Sequence, residues 1–425
     1  MEAASATRGW IVTLAGLGIN LALGVLYAWS VVAKVLKTSV ADGGWGWSAG
    51  EANMPYAVAV GVFALSMVFA GRAQDRLGPR IVATFGGALT GIGMIVASLA
   101  TAERAWPVLV GFGLMAGAGI GLGYAAATPA AVKWFPPERK GLITGLVVSG
   151  FGLASVYIAP LTQWLLGGYG IAATFRILGV AFLVGTVGLA QLLVNPPEGY
   201  VAAGAASGAG VSARDAVEYD WRDMVRTKQF ALLWLMYAFS AFAGLMIIGH
   251  MATIAALQMP ELTLGFALVA VLAVGNAAGR VVAGIASDRI GEVKTMFAVF
   301  VLQAVMMGLL FVAGTPALLV PVAALVGFGY GANLSLFPST TAGYFGTRHL
   351  GVNYGLVFTA WGVGGVFGSM TAGSILDSTG SYALAYGVAA TLCLAAAGLT
   401  FVTKPPTPGE VIGSGAQRAE RRRAA

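Results

Sequence analysis

The sequence predicts an all-α membrane protein, with twelve transmembrane helices in two six-helix pseudo-symmetric bundles. Three observations predict it. The 425 residues are 58% hydrophobic and only 10% charged, with 62 glycines, a composition outside the soluble range. Twelve apolar segments are long enough to cross a bilayer. The two halves of the chain also repeat each other's loop and glycine patterns at a nearly constant offset. Strand-like segments of about ten alternating residues are absent, which excludes a β-barrel.

The first segment, 10–36, is too long for the apolar core of a signal peptide and has no small-residue cleavage site after it, so it is expected to remain as a span. The outer loop that follows carries Asp42-Gly-Gly-Trp-Gly-Trp47, with indoles suited to a membrane interface. Segment 51–73 ends in Gly71-Arg-Ala-Gln-Asp75-Arg76-Leu-Gly78. Segments 79–101 and 105–131 come next, the second containing Gly117-Ala-Gly-Ile-Gly-Leu-Gly123, where small residues let helix backbones approach in lipid. Segments 140–166 and 171–194 complete the first bundle, which Asn195-Pro-Pro-Glu-Gly-Tyr200 closes.

A Gly/Ala/Ser stretch then runs to Arg214, and a charged run from Asp215 leads to Lys228. Residues 195–228 are thus expected to be a flexible linker with a short surface helix, between bundles 1–194 and 229–403, with 404–425 as a tail. The second bundle consists of 229–257 (with His250 deep inside), 262–287, 294–314, 317–343, 351–376 and 380–403. Its last span holds the single Cys393, a packing residue; one cysteine allows neither an intrachain disulfide nor a thiolate metal cluster.

The repeat is explicit. Gly71 to Gly78 matches Gly284-Ile-Ala-Ser-Asp288-Arg289-Ile-Gly291 at an offset of 213. Gly117, Gly119, Gly121, Phe135, Gly141, Gly145 and Gly152 match Gly327, Gly329, Gly331, Phe345, Gly351, Gly355 and Gly362 at 210. Parallel six-helix repeats imply a central cavity and alternating access.

The formal charge of +7 follows topology rather than nucleic-acid binding. Nineteen of the 24 cations, among them Arg8, Arg72, Arg76, Lys133, Lys140, Arg289 and Arg421 to Arg423, fall on one side of the spans, and only Lys34, Lys37, Arg104 and Arg176 on the other. This asymmetry places both termini in the cytoplasm and the chain in a plasma (inner) membrane, with the arginine-rich tail touching lipid headgroups.

The remaining cation is Arg280, inside the apolar stretch Leu262 to Ser287. A guanidinium there costs about 2.5–3.5 kcal/mol on insertion scales and cannot shed its proton. All 17 acids fall in loops, tails or at segment ends, so the missing partner is expected to be an anionic guest. Asn276 lies one turn away, with only Ala277, Ala278 and Gly279 between, as on a cavity wall. The alternative is a long side chain snorkelling about 12 Å to the surface beside Asp288. One buried charge balances one carboxylate, and a dicarboxylate would leave a charge unpaired. A small monocarboxylate such as lactate, pyruvate, propionate or acetate fits, and binding two hydrogen bonds from the guanidinium suits it.

The doubled Gly-x-x-x-Asp-Arg-x-Gly loop resembles the major facilitator superfamily. Within it, Asn195 to Tyr200, Asp220-Trp-Arg-Asp-Met-Val-Arg-Thr-Lys-Gln-Phe230 and Ala243-Gly-Leu-Met-Ile-Ile-Gly249 are similar to the oxalate/formate antiporter and monocarboxylate transporter branch, including its bacterial lactate-type members. The resemblance implies a carboxylate anchor at Arg280, and a cavity lined by Tyr27, Tyr124, Tyr330 and Asn333, with Phe358 and Trp361. Trp361 stands where oxalate transporters carry a second cation, and Asn276 where monocarboxylate transporters have an acid. Asp42 to Trp47 resembles a motif that in this branch precedes the first span; here it follows, and is treated as an outer loop.

For coupling, His250 is the candidate proton carrier, since its side chain changes charge near physiological pH; a packing histidine bonded to a backbone carbonyl is the equal alternative. Asp75 with Arg76, and Asp288 with Arg289, are expected to gate, each carboxylate facing the N-terminus of the eleventh or fifth helix. Proton-coupled symport of a monocarboxylate is the expected function; an electroneutral organic anion antiporter, a channel and a non-transporting sensor stay open. No His pair, acid or Cys/His cluster lies in the membrane, which argues against an enzyme, a metal or a cofactor. The expected partners are the substrate, protons and lipid, with a monomeric chain.

Overall fold

The computed structural model describes residues 2–197, 199–200, 218–259 and 265–406. The linker stretch 201–217 with Arg214, the start of the eighth segment at 262–264, and the tail beyond 406 with Arg418 and Arg421 to Arg423 lie outside the described residues.

Among the described residues, twelve helical rods cross the molecule. α1 (Thr7–Lys37) contains a 3₁₀ turn at Gly24–Ala28. α2 (Ala49–Leu77), α3 (Pro79–Ala97) and α4 (Trp106–Val132) follow. Lys140–Ala190 is continuous apart from Gly170, whose φ of 73° and ψ of 179° divide it into α5 (140–169) and α6 (171–190). The second bundle comprises α7 (Lys228–Gln258), α8 (Gly265–Ile290), α9 (Glu292–Leu310), α10 (Pro316–Phe345), α11 (Leu350–Thr379) and α12 (Ala383–Thr400).

Local chemistry sets the ends. α2 starts with a capping box: Glu51 N donates to Ser48 Oγ at 3.2 Å, and Ser48 N donates to Glu51 Oε2 at 2.9 Å. Thr227 caps α7 by accepting from Phe230 N at 3.1 Å. The repeat shows at Gly78 and Gly291, with φ of 85° and 89°, a conformation glycine takes without strain. The sequence expectation put Asp75 and Asp288 in loops. Both instead sit in the last turns of α2 and α8, because nothing stops either helix before those glycines.

The bundles meet where α2 packs on α11 and α5 on α8. A Cβ on Gly71 would stand 2.0 Å from the carbonyl oxygen of Gly351, and one on Gly284 would stand 2.2 Å from that of Gly141. Glycine at these positions lets the two halves close on each other. The contacts lie toward Arg76 and Arg289, the basic face, and that side of the molecule is shut.

Candidate functional site

α8 carries Arg280 into the centre of the molecule with 0% of its surface exposed. It does not snorkel. Glycines of α5 make the room: a Cβ on Gly152 would lie 3.1 Å from Arg280 Nε and 3.3 Å from Cζ, and one on Gly145 would lie 2.3 Å from the Arg280 carbonyl oxygen. Arg280 Nε donates to Asn276 Oδ1 at 3.0 Å, and Nη1 donates to the Val148 carbonyl. Nη2 makes no hydrogen bond. Among the described residues no carboxylate pairs with Arg280; the one ion pair there joins Lys140 Nζ to Glu292 Oε1 at 2.6 Å, across the bundles on the basic face.

Arg280 forms part of the wall of a narrow cavity of about 10 Å³, room for about one water in this conformation, together with Tyr27, Phe63, Tyr124, Phe151, Tyr330, Leu334, Phe358 and Trp361. Both bundles contribute. Phe358 stacks on Trp361 with centroids 4.9 Å apart and meets Phe63 at 5.4 Å. Trp361 Nε1 donates to Tyr330 Oη at 2.9 Å. The 3₁₀ turn of α1 aims Tyr27 at Phe151, ring centroids 5.5 Å apart. A cation enclosed by aromatic walls acts through a low local dielectric, so its attraction for an anion is stronger than in water.

On the basic-face side of the cavity sit the hydroxyls of Tyr124, Tyr237 and Tyr354. They are buried from solvent, and Tyr354 stands within interaction range of both Tyr124 and Tyr237, so the three hydroxyls have chiefly one another as polar neighbours.

Of the residues proposed from sequence, Arg280, Tyr27, Tyr124, Tyr330, Phe358 and Trp361 gather here, and Asn276 is bonded to Arg280. Asn333 does not join them. Its Nδ2 donates to Ser240 Oγ at 2.6 Å and to the Gly329 carbonyl at 2.9 Å, with Gln303 Oε1 at 3.3 Å, so the amide is held inside the second bundle. His250 lies higher. Its Nδ1 meets Tyr382 Oη at 2.8 Å and its Nε2 the Ser369 carbonyl at 3.3 Å. Ser369 is eight residues beyond Trp361 on α11, about 12 Å toward the opposite face.

The carboxylates Asp75 and Asp288 do face helix N-termini. Asp75 accepts from Gly351 N at 3.2 Å and Val352 N at 3.0 Å; Asp288 accepts from Gly141 N at 2.8 Å and Leu142 N at 2.7 Å. Arg76 and Arg289 are exposed, and neither forms an ion pair among the described residues. No group of three metal-ligating side chains occurs among the described residues.

The sequence model of the Major Facilitator Superfamily matches residues 9–274 and 233–424. The chain belongs to the Major Facilitator Superfamily. Among relatives, the oxalate:formate antiporter of Oxalobacter formigenes is 28% identical over 378 residues, covering 88% of this chain and 86% of that protein. Monocarboxylate transporter 13 of Rattus norvegicus is 27% identical over 417 residues, 87% of this chain and 91% of that one. The solved proton:xylose symporter XylE, bound to 6-bromo-6-deoxy-D-glucose, superposes with a TM-score of 0.71 at 15% identity, covering 96% of this chain and 99% of that one. This superfamily chain is therefore a multi-pass membrane transporter, related to carriers of organic anions, and not an enzyme.

Sequence reasoning missed Phe63, Phe151 and Leu334 in the cavity wall, and the Val148 carbonyl that holds Arg280. Phe63 had a signal: it precedes Asn276 by the repeat offset of 213. Gly152 was visible as a repeat glycine, but its service to the guanidinium was not.

Proposed function

We propose that this superfamily member carries small monocarboxylates by alternating access, with Arg280 holding the substrate carboxylate. One observation carries the reading: a fully buried guanidinium with no counter-ion among the described residues keeps Nη2 unbonded at an aromatic cavity. The carboxylate of a lactate-sized acid would supply both the missing charge and the missing acceptor. A dicarboxylate would bring a second charge to a wall with one cation. The charge asymmetry of the loops supports cytoplasmic termini, which makes the shut basic face the cytoplasmic one.

Proton-coupled symport is the first reading of the energetics. His250 supports it: with its Nε2–H donating to the Ser369 carbonyl, its Nδ1 can accept from the Tyr382 hydroxyl when neutral and donate to it when charged, so either state keeps both bonds. The second reading is anion exchange. A bare Arg280 without an internal counter-ion makes the empty site costly to reorient, which favours a carrier that returns loaded.

Binding of lactate, pyruvate, acetate and oxalate to purified protein tests the anchor. Lactate should bind more tightly than oxalate, and the Arg280→Ala protein should bind none of them; oxalate binding more tightly sinks the charge match. An imposed pH gradient, without internal substrate, drives uptake in the symport case alone.

A further inference from the structure

Both ends of the inter-bundle linker grip the loops that precede the latched helices. At the first end, Trp134 Nε1 donates to the Val194 carbonyl at 2.8 Å, and Tyr200 Oη donates to the Trp134 carbonyl at 3.2 Å, ahead of α5. At the second, Glu218 and Tyr219 engage the loop between α10 and α11. Thr347 N donates to Glu218 Oε1 at 3.3 Å, and Arg348 N to Oε2 at 3.0 Å. Tyr219 N donates to the Phe345 carbonyl at 3.0 Å, and the Tyr219 carbonyl accepts from Asn353 Nδ2 at 3.0 Å. The buried Tyr219 ring packs edge-on against Phe345, centroids 5.5 Å apart.

Two features make this grip more than a tether. Gly346 has a φ of 83°, and a Cβ there would stand 2.1 Å from Glu218 Oε2, so the loop is shaped to admit the carboxylate. Asn353 directly follows Val352, whose amide is bonded to Asp75 of the other bundle. Lys133, just past the end of α4, faces both carboxylates: burial pulls its ammonium pKa down, while Asp75 and then Glu218 oppose the fall.

We propose that Glu218 is a positioning residue of the gate. It fixes the loop at 346–349 so that the Gly351 and Val352 amides present themselves to Asp75 of the other bundle. The proposal rests on alternating access and is independent of the substrate's identity.

The test uses full-length protein carrying Cys393→Ser and a reporter, Ser287→Cys, at a buried site on the closed basic side. Maleimide labelling of that cysteine reads how often the side opens. Glu218→Ala should label faster by on the order of tenfold, the worth of hydrogen bonds to a charged group. Glu218→Gln, which keeps an acceptor without the charge, should fall between, and it stands in if the alanine variant does not fold. Glu218→Ala combined with Asp75→Asn should label no faster than Asp75→Asn alone, because both act on one latch. Parent-rate labelling of both Glu218 variants, beside fast labelling of Asp75→Asn, overturns the positioning role. Multiplicative effects in the double variant overturn it too. If Asp75→Asn also labels at the parent rate, the gate itself falls, whatever the substrate.

Discussion

Met67 and Arg280 hold the same place in the two bundles. Met67 precedes Arg280 by the repeat offset of 213. A Cβ on Gly355 would lie 2.6 Å from the Met67 carbonyl oxygen, as one on Gly145 would lie 2.3 Å from that of Arg280. Two helical turns further along, a Cβ on Gly362 would lie 3.0 Å from Ala64 Cβ, and one on Gly152 would lie 3.4 Å from Ala277 Cα beside the Arg280 side chain. The backbone keeps the two-fold relation while the charge breaks it, so the buried cation occurs in one bundle and an apolar methionine in the other.

Restoring the symmetry with Arg280→Met should remove carboxylate binding. The same change should stabilise the ligand-free protein by about 1–4 kcal/mol, because an unpaired buried charge gives way to an apolar side chain of similar length. Thermal unfolding with and without lactate checks both parts. A lactate-dependent shift that survives in Arg280→Met is incompatible with the anchor.

The glycines facing Arg280 should separate two effects. Gly152→Ala puts a methyl 3.1 Å from Nε, so the guanidinium must shift by a few tenths of an ångström and lactate affinity should fall by about tenfold. Gly145→Ala meets a backbone oxygen at 2.3 Å and cannot be absorbed by a side chain, so it should cost about 1–3 kcal/mol of stability in the closed form. Equal effects of the two variants on affinity and on melting would contradict this division.

Asp288→Asn weakens two charge-assisted bonds to the N-terminus of α5, each worth about 1.5–3 kcal/mol. The basic side should open more often. A cysteine at Ser335, whose hydroxyl lies 3.4 Å from the Gly141 carbonyl, should then react faster with maleimide. An unchanged rate argues that the Asp288 contact is only a turn.

His250→Ala should lower uptake driven by a pH gradient and leave lactate counterflow intact, since His250 stands apart from the cavity. Full pH-driven uptake in this variant removes His250 from coupling.

Much of the fold was legible because its signals are one-dimensional. Span lengths, the doubled Asp-Arg motif and a lone cation in an apolar run need no neighbours to be recognised. Arg280 was found for that reason, and its surroundings of small residues pointed to the cavity. Asn333 was not legible: which way its amide turns depends on Ser240 and Gln303, distant in sequence, outcompeting the cavity. The height of His250 depends on where α7 begins, and Thr227 fixes that through its cap. Phe151 resembles any other core aromatic until the bundles meet. Glu218 was hidden in the charged run of the linker, where nothing in the sequence marks a carboxylate with two amides waiting for it.

The sealed hydroxyls of Tyr124, Tyr237 and Tyr354 bear on how the cycle senses its solvent. Buried in the shut basic side, they have chiefly one another as polar neighbours, and opening would let water reach them. Turnover therefore takes up water, and impermeant osmolytes that withdraw it should hold the carrier in the conformation described here. Phenylalanine at all three positions would make that conformation indifferent to osmotic stress.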